Sequence, residues 1–159
     1  MHVLPKITRV YLIEDDLDDC QLFDDAIKSV SSDIHLECSN DCIDVLQKLE
    51  AYAPELIFLD LHLPKKDGLD CLEDIHNTIA LRNIPVVMYT GTISPLDIER
   101  SLSLGAKLYF EKPSSFSDLV THLHDVLSLD WQTPEVIMPM VLKGGEYVPM
   151  ESYLQSNSL

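Results

Sequence analysis

The chain has 159 residues, enough for one well-buried core and little more. Its apolar fraction of 46% is that of a folded globular protein rather than a disordered one. A net charge of −16 disfavours nucleic acid and anionic membranes as partners, and favours a cation or a basic protein patch.

Taken in chain order, strand-like and helix-like patterns alternate from residue 8 to about residue 129. ITRVYLI (7–13) is β-branched and apolar, suits a buried strand, and ends on the acidic run that begins at Glu14 and Asp15. Leu22, Phe23, Ala26, Ile27 and Val30 follow at helical spacing. Ile34 to Cys38 predicts a short second strand. Cys42, Val45, Leu46 and Leu49 predict the next helix, with Asn40 or Asp41 as its cap. Glu55 to Leu59, entered through Pro54, predicts a third strand that delivers Asp60. Gly68 opens a helix carrying Leu69, Leu72, Ile75 and Ile79.

Pro85 to Tyr89 predicts a fourth strand ending on Thr90-Gly91, where Gly91 leaves space beside the strand end. Ser94-Pro95-Leu96-Asp97 has a cap, a proline for the first turn and an early acid, and so starts a helix that stops near Gly105. Lys107 to Phe110 predicts a fifth strand, ending on Lys112-Pro113. Ser115 then caps a helix with Phe116, Leu119, Val120, Leu123, Val126 and Leu127 on one face. Five βα units in this order predict an α/β fold, a doubly wound parallel sheet covered by helices on both faces. Right-handed crossovers bring all the βα loops to the carboxyl ends of the strands, where ligand sites of open α/β sheets form.

The residues delivered to that edge share one chemistry. Asp60 can accept a phosphoryl group as a mixed anhydride. Its charge repels a phosphate, so a cation is needed, and Glu14 and Asp15 are suited to hold one. Oxygen-only ligands with room for water favour Mg²⁺. Lys112 can balance charge on the transferring group, and Thr90 can donate a hydrogen bond to it.

The four cysteines, Cys20, Cys38, Cys42 and Cys71, show no CxxC or Cys/His ligand spacing, and no secretory signal pattern precedes them. Free thiols in a reducing, cytoplasmic compartment are therefore expected, with Cys38 and Cys42 the pair that a strand–helix turn could bring together. No apolar run approaches the roughly 18 residues of a membrane span.

The ordered set closely resembles the receiver domain of two-component response regulators, the family of the chemotaxis protein CheY, over residues 6–130. The two acids after the first strand match at Glu14 and Asp15, the phosphoacceptor at Asp60 within LDLHLPKKDG, the hydroxyl residue at Thr90, and the lysine of a Lys-Pro pair at Lys112. The resemblance implies a flavodoxin-like (βα)5 sheet of order 2-1-3-4-5 with five flanking helices. It implies Mg²⁺ held by Asp15, Asp60 and the backbone carbonyl of His62, with Glu14 assisting, and a cis Lys112–Pro113 peptide. It also implies a switch in which Thr90 moves toward the phosphoryl group and Tyr109 turns inward. The implied phosphoryl donor is a sensor histidine kinase or a histidine phosphotransfer protein. The implied role is a signalling switch that contacts a downstream protein, not an enzyme.

His62 and Thr92 occupy positions that control water access to an acyl phosphate in such domains, and Lys65 and Lys66 lie in the loop after Asp60. Three other readings use parts of the same pattern: a receiver-like binding module that is not phosphorylated, a flavodoxin-like flavoprotein, and a metal-dependent phosphatase. The acidic loop after the first strand opposes the flavoprotein, and the lack of a substrate cap opposes the phosphatase.

Residues 131–159 are too short for a DNA-binding or catalytic output domain. The apolar runs VIMPMVL and YVPM flank Lys143-Gly144-Gly145-Glu146, the pattern of a β-hairpin or extended arm confined by Pro139 and Pro149 to edge positions. Such an arm could fold back, support a homodimer or capture a partner.

Overall fold

The computed structural model describes residues 7–131, 133 and 139–157. The early part of the run VIMPMVL therefore lies outside the described residues. The elements are β1 (Arg9–Ile13), α1 (Leu17–Val30), β2 (His35–Ser39), α2 (Val45–Tyr52), β3 (Leu56–Leu59), α3 (Gly68–Asn77), β4 (Val86–Thr90), α4 (Pro95–Ser103), β5 (Leu108–Glu111), α5 (Phe116–Leu127), β6 (Met140–Lys143), β7 (Glu146–Pro149) and α6 (Met150–Asn157). The sheet order is β2-β1-β3-β4-β5-β6-β7, parallel except for the β6–β7 pair. The first five strands follow the expected 2-1-3-4-5 order.

Every residue of β3 and β4 is buried, because helices cover both faces. Alternate side chains feed two cores. Tyr11, Ile13, Ile57, Leu59, Met88 and Tyr109 join the α2, α3, α4 and α6 side. Val10, Leu12, Phe58, Val87 and Phe110 join Phe23, Ile27, Leu119 and Leu123 on the α1 and α5 side. There Phe23, Phe58, Tyr89 and Phe110 meet edge to face, with ring centroids 4.9–6.3 Å apart.

The predicted caps at Ser94 and Ser115 accept from Asp97 N and Asp118 N. Two local expectations are corrected. α2 starts at Val45, because the Asp41 carboxylate accepts from Ile43 N and holds residues 40–44 in turns. Ile79 lies beyond the C-cap Thr78 and is exposed.

The expectation for the cysteines is also corrected. Cys42 and Cys71 form a disulfide, their Cα atoms 6.1 Å apart. The pairing joins the turn before α2 to the first turn of α3, elements that only the shared helical layer makes neighbours. Cys38 stands 3.0 Å, sulfur to sulfur, from Cys20 of α1 instead of beside Cys42. The Lys112–Pro113 peptide is trans, since no cis bond occurs among the described residues.

The C-terminal hairpin folds back. Gly144 and Gly145 both take positive φ (58° and 83°), the conformation of a two-residue turn matched to the twist of its strands. β6 pairs parallel to β5, so the predicted edge position holds for β7 alone. α6 then lies against α4. No helix among the described residues is long and apolar enough to cross a membrane.

Candidate functional site

Neighbouring strand ends are tied together at the carboxyl edge of the sheet. Glu14 N donates to Ser39 O, Asp60 N to Ile13 O and Lys112 N to Thr90 O, at 2.9, 3.1 and 2.8 Å. These bonds level the ends of β2, β1 and β3 and those of β4 and β5, and the Leu59–Met88 register joins the two groups, so the loaded residues emerge along one edge. α3 closes the base of the site: Gly68 N donates to Leu61 O at 2.9 Å, and a Cβ at Gly68 would collide with the Asp60 carbonyl. Only glycine permits so close an approach of helix and loop. Gly91, by contrast, is surrounded by open space.

Glu14, Asp15 and Asp60 converge, each offering a carboxylate oxygen within 4.8 Å of the others. Glu14 and Asp60 are buried and Asp15 is exposed. The Lys112 ammonium bonds to Glu14, to Asp19 at 2.9 Å and to Asp60 at 3.3 Å. Its position is also favoured by the Tyr89 ring, whose centroid is 5.3 Å away. Burial, and the neighbouring Asp60 carboxyl, raise the Glu14 carboxyl well above the usual carboxylate range, although Lys112 opposes the shift. Burial pulls the Lys112 ammonium down, but the hydrogen bonds it donates to Glu14 and Asp19 outweigh that and hold the group firmly protonated.

At the site, the buried oxygens Glu14 Oε2 and Thr90 Oγ1 have no hydrogen-bond partner among the described residues. Unsatisfied buried oxygens are costly and rare in folded proteins. Here one is a carboxylate beside two others and one is a hydroxyl at the neighbouring strand end. That donor set fits a hard divalent cation and an anionic oxygen.

Each residue singled out from the sequence can be placed. His62 is exposed, its ring Nε2 3.3 Å from Thr92 Oγ1 and its backbone N 3.3 Å from Asp60 Oδ1. Tyr109 is completely buried, its hydroxyl donating to Thr92 O at 3.0 Å. Lys65 pairs with Asp41 at 3.5 Å and Lys66 with Asp74, so both turn to acids of the α2–α3 side. Asp19 was not separated from the acidic run 14–19 by sequence reasoning. Its place one turn into α1, capped by Asp16, is what aims it at Lys112.

Residues 10–124 match the response regulator receiver domain family. Response regulator Rcp1 of Synechocystis sp. is 30% identical over 136 residues, covering 81% of this chain and 91% of that protein. The transcriptional regulatory protein CpxR homolog of Haemophilus influenzae is 29% identical over 76% of this chain, which spans about half (51%) of its length. Among solved structures, the phosphorylated cyanobacterial phytochrome response regulator RcpA superposes with a TM-score of 0.71 at 29% identity, over 80% of this chain and 96% of that one. The Mn²⁺-bound form of Rcp1 gives 0.68 at 31% identity, over 81% and 96%.

Proposed function

The chain belongs to the response regulator receiver domain family, and from that premise we propose that it acts as a phosphorylation switch of a two-component pathway. Residues 6–130 form its receiver and Asp60 is its phosphoacceptor. The donor is a phosphohistidine on a sensor histidine kinase or a histidine phosphotransfer protein, and the setting is the cytoplasm. The observation that carries this reading is the convergence of Glu14, Asp15 and Asp60 against the Lys112 ammonium at one sheet edge.

In the transfer, an Asp60 carboxylate oxygen attacks phosphorus while the P–N bond to the donor imidazole breaks. The imidazole nitrogen leaves with the bonding electron pair, and Asp60 becomes an acyl phosphate. Lys112, already 3.3 Å from Asp60 Oδ2, balances the phosphoryl charge. Thr90 donates a hydrogen bond from its hydroxyl to a phosphoryl oxygen. Glu14, Asp15, Asp60 and the backbone carbonyl of His62 would hold Mg²⁺, which supplies neutralisation of the like charges that otherwise keep carboxylate and phosphate apart. Asp19 keeps the lysine within reach of both states, and His62 with Thr92 borders the approach of water. Output is then a phosphorylation-dependent contact with a downstream protein.

Incubating the protein with Mg²⁺ and acetyl phosphate tests this. A phosphate-sized mass gain that Asp60→Asn abolishes supports the reading; an unmodified parent protein contradicts it.

A further inference from the structure

An unbroken series of contacts leads from the C-terminal extension to Asp60. Val141 of β6 is the register partner of Tyr109 of β5. Both belong to a buried cluster that includes Ile98 of α4, Ala106 and Met150 of α6. Met150 is fully buried and its N–H donates to Pro139 O at 3.0 Å, which ties the start of α6 to the residue before β6. Tyr153 of α6 packs against the same cluster, and burial there pushes the Tyr109 hydroxyl upward. That hydroxyl donates to Thr92 O. The Thr92 side chain meets the His62 ring, and the His62 backbone N–H faces Asp60 Oδ1.

Each link constrains the next. With β6 in place, the Tyr109 ring is shut off from water, and its hydroxyl needs a protein acceptor. Thr92 O is that acceptor, so the loop between β4 and α4 is pinned at its second residue, next to Thr90-Gly91. Without β6 and α6, the edge of β5 would be open, water could satisfy the hydroxyl, and the pin would loosen. We propose that the extension is a clamp on the phosphoacceptor site: Met150 and Val141 hold Tyr109 on Thr92 and so keep the β4–α4 loop in the pose that receives the phosphoryl group. Met150 is thus a positioning residue acting through Tyr109. The proposal rests on the reading of Asp60 as phosphoacceptor.

The test uses the full chain as a double-mutant cycle. Met150→Lys, with Met150→Leu as the conservative control, is made in the parent and in Tyr109→Phe. Amide hydrogen exchange is followed over residues 91–94 and 140–157 without any phosphodonor, and acylation by acetyl phosphate is followed at saturating Mg²⁺. Met150→Lys should speed exchange in both segments and lower the maximal acylation rate about three- to tenfold. Met150→Leu should restore both. In Tyr109→Phe, whose ring lacks the pinning hydroxyl, Met150→Lys should leave the acylation rate unchanged.

The clamp is overturned if exchange rises over 140–157 while residues 91–94 and the acylation rate keep parental values. It is equally overturned if the Met150→Lys effect is as large in Tyr109→Phe, or if Met150→Lys with Leu154→Lys leaves 140–157 protected. A parent protein that is never acylated refutes the phosphoacceptor reading itself, and does so before any variant is compared.

Discussion

Lys112 Nζ stands 3.3 Å from Asp60 Oδ2, across 52 residues of sequence, and it is the cation that allows buried Glu14 and Asp60 to share one pocket. Lys112→Met removes that charge and keeps most of the side-chain volume. Breaking a buried pair from one side costs about 3–5 kcal/mol. The loss here should be of that order, because buried Glu14 and Asp60 would lose the cation they share. Urea denaturation of parent and variant measures it.

Cation binding should stabilise the folded protein, because the acids that converge at the site repel one another without it. For a dissociation constant near 1 mM, 10 mM Mg²⁺ contributes about 1.4 kcal/mol, or about 3–6 °C in Tm for a chain of this size. Thermal melts with Mg²⁺ and with EDTA check this. Asp15→Asn and Asp60→Asn should each shrink the shift.

The Cys42–Cys71 disulfide closes a separation of 29 residues between the turn before α2 and the first turn of α3. Chain-entropy arguments give such a loop about 3–4 kcal/mol. The Cys42→Ala/Cys71→Ala protein should unfold at correspondingly lower urea. In the parent, alkylation under denaturing, non-reducing conditions should label Cys20 and Cys38 but not the other pair.

Glu55 should give the protein part of its acid sensitivity. Burial pushes its carboxyl up, but donors from Thr8 N, Thr8 Oγ1 and Arg9 N at 2.8–3.0 Å outweigh that and lower it. A carboxyl lowered on folding contributes stability that is complete above its unfolded value and is lost as pH falls through the folded one. Parent and Glu55→Gln should therefore differ in stability at pH 7, with the gap starting to close near pH 4 and vanishing only below the lowered folded value. Urea titrations across that range measure the gap.

The alternation of apolar strands and capped helices made the five-unit sheet legible, because buried parallel strands and Ser-capped helices leave local signatures such as PVVMYT and SPLD. The strand-end residues were legible for the same reason: Glu14 and Asp60 directly follow an apolar run, Thr90 closes one, and Lys112 stands one residue beyond one, in a Lys-Pro pair. What was not legible depends on contacts between distant segments. Cys42 meets Cys71 only once α2 and α3 share a layer. Asp19 could not be told from its acidic neighbours until α1 fixed its direction. The requirement for glycine at position 68 arises from the approach of α3 to the Asp60 carbonyl. The hairpin was visible in its Gly-Gly turn, but nothing local said that β6 would pair with β5 and bury Tyr109.

The central claim is that Asp60 itself carries the phosphoryl group. After acetyl phosphate and Mg²⁺, borohydride reduction converts an aspartyl phosphate to homoserine, which peptide mapping locates. The account predicts homoserine at residue 60 alone, and none when Mg²⁺ is chelated. Homoserine at another acid, or none with Mg²⁺ present, would contradict it.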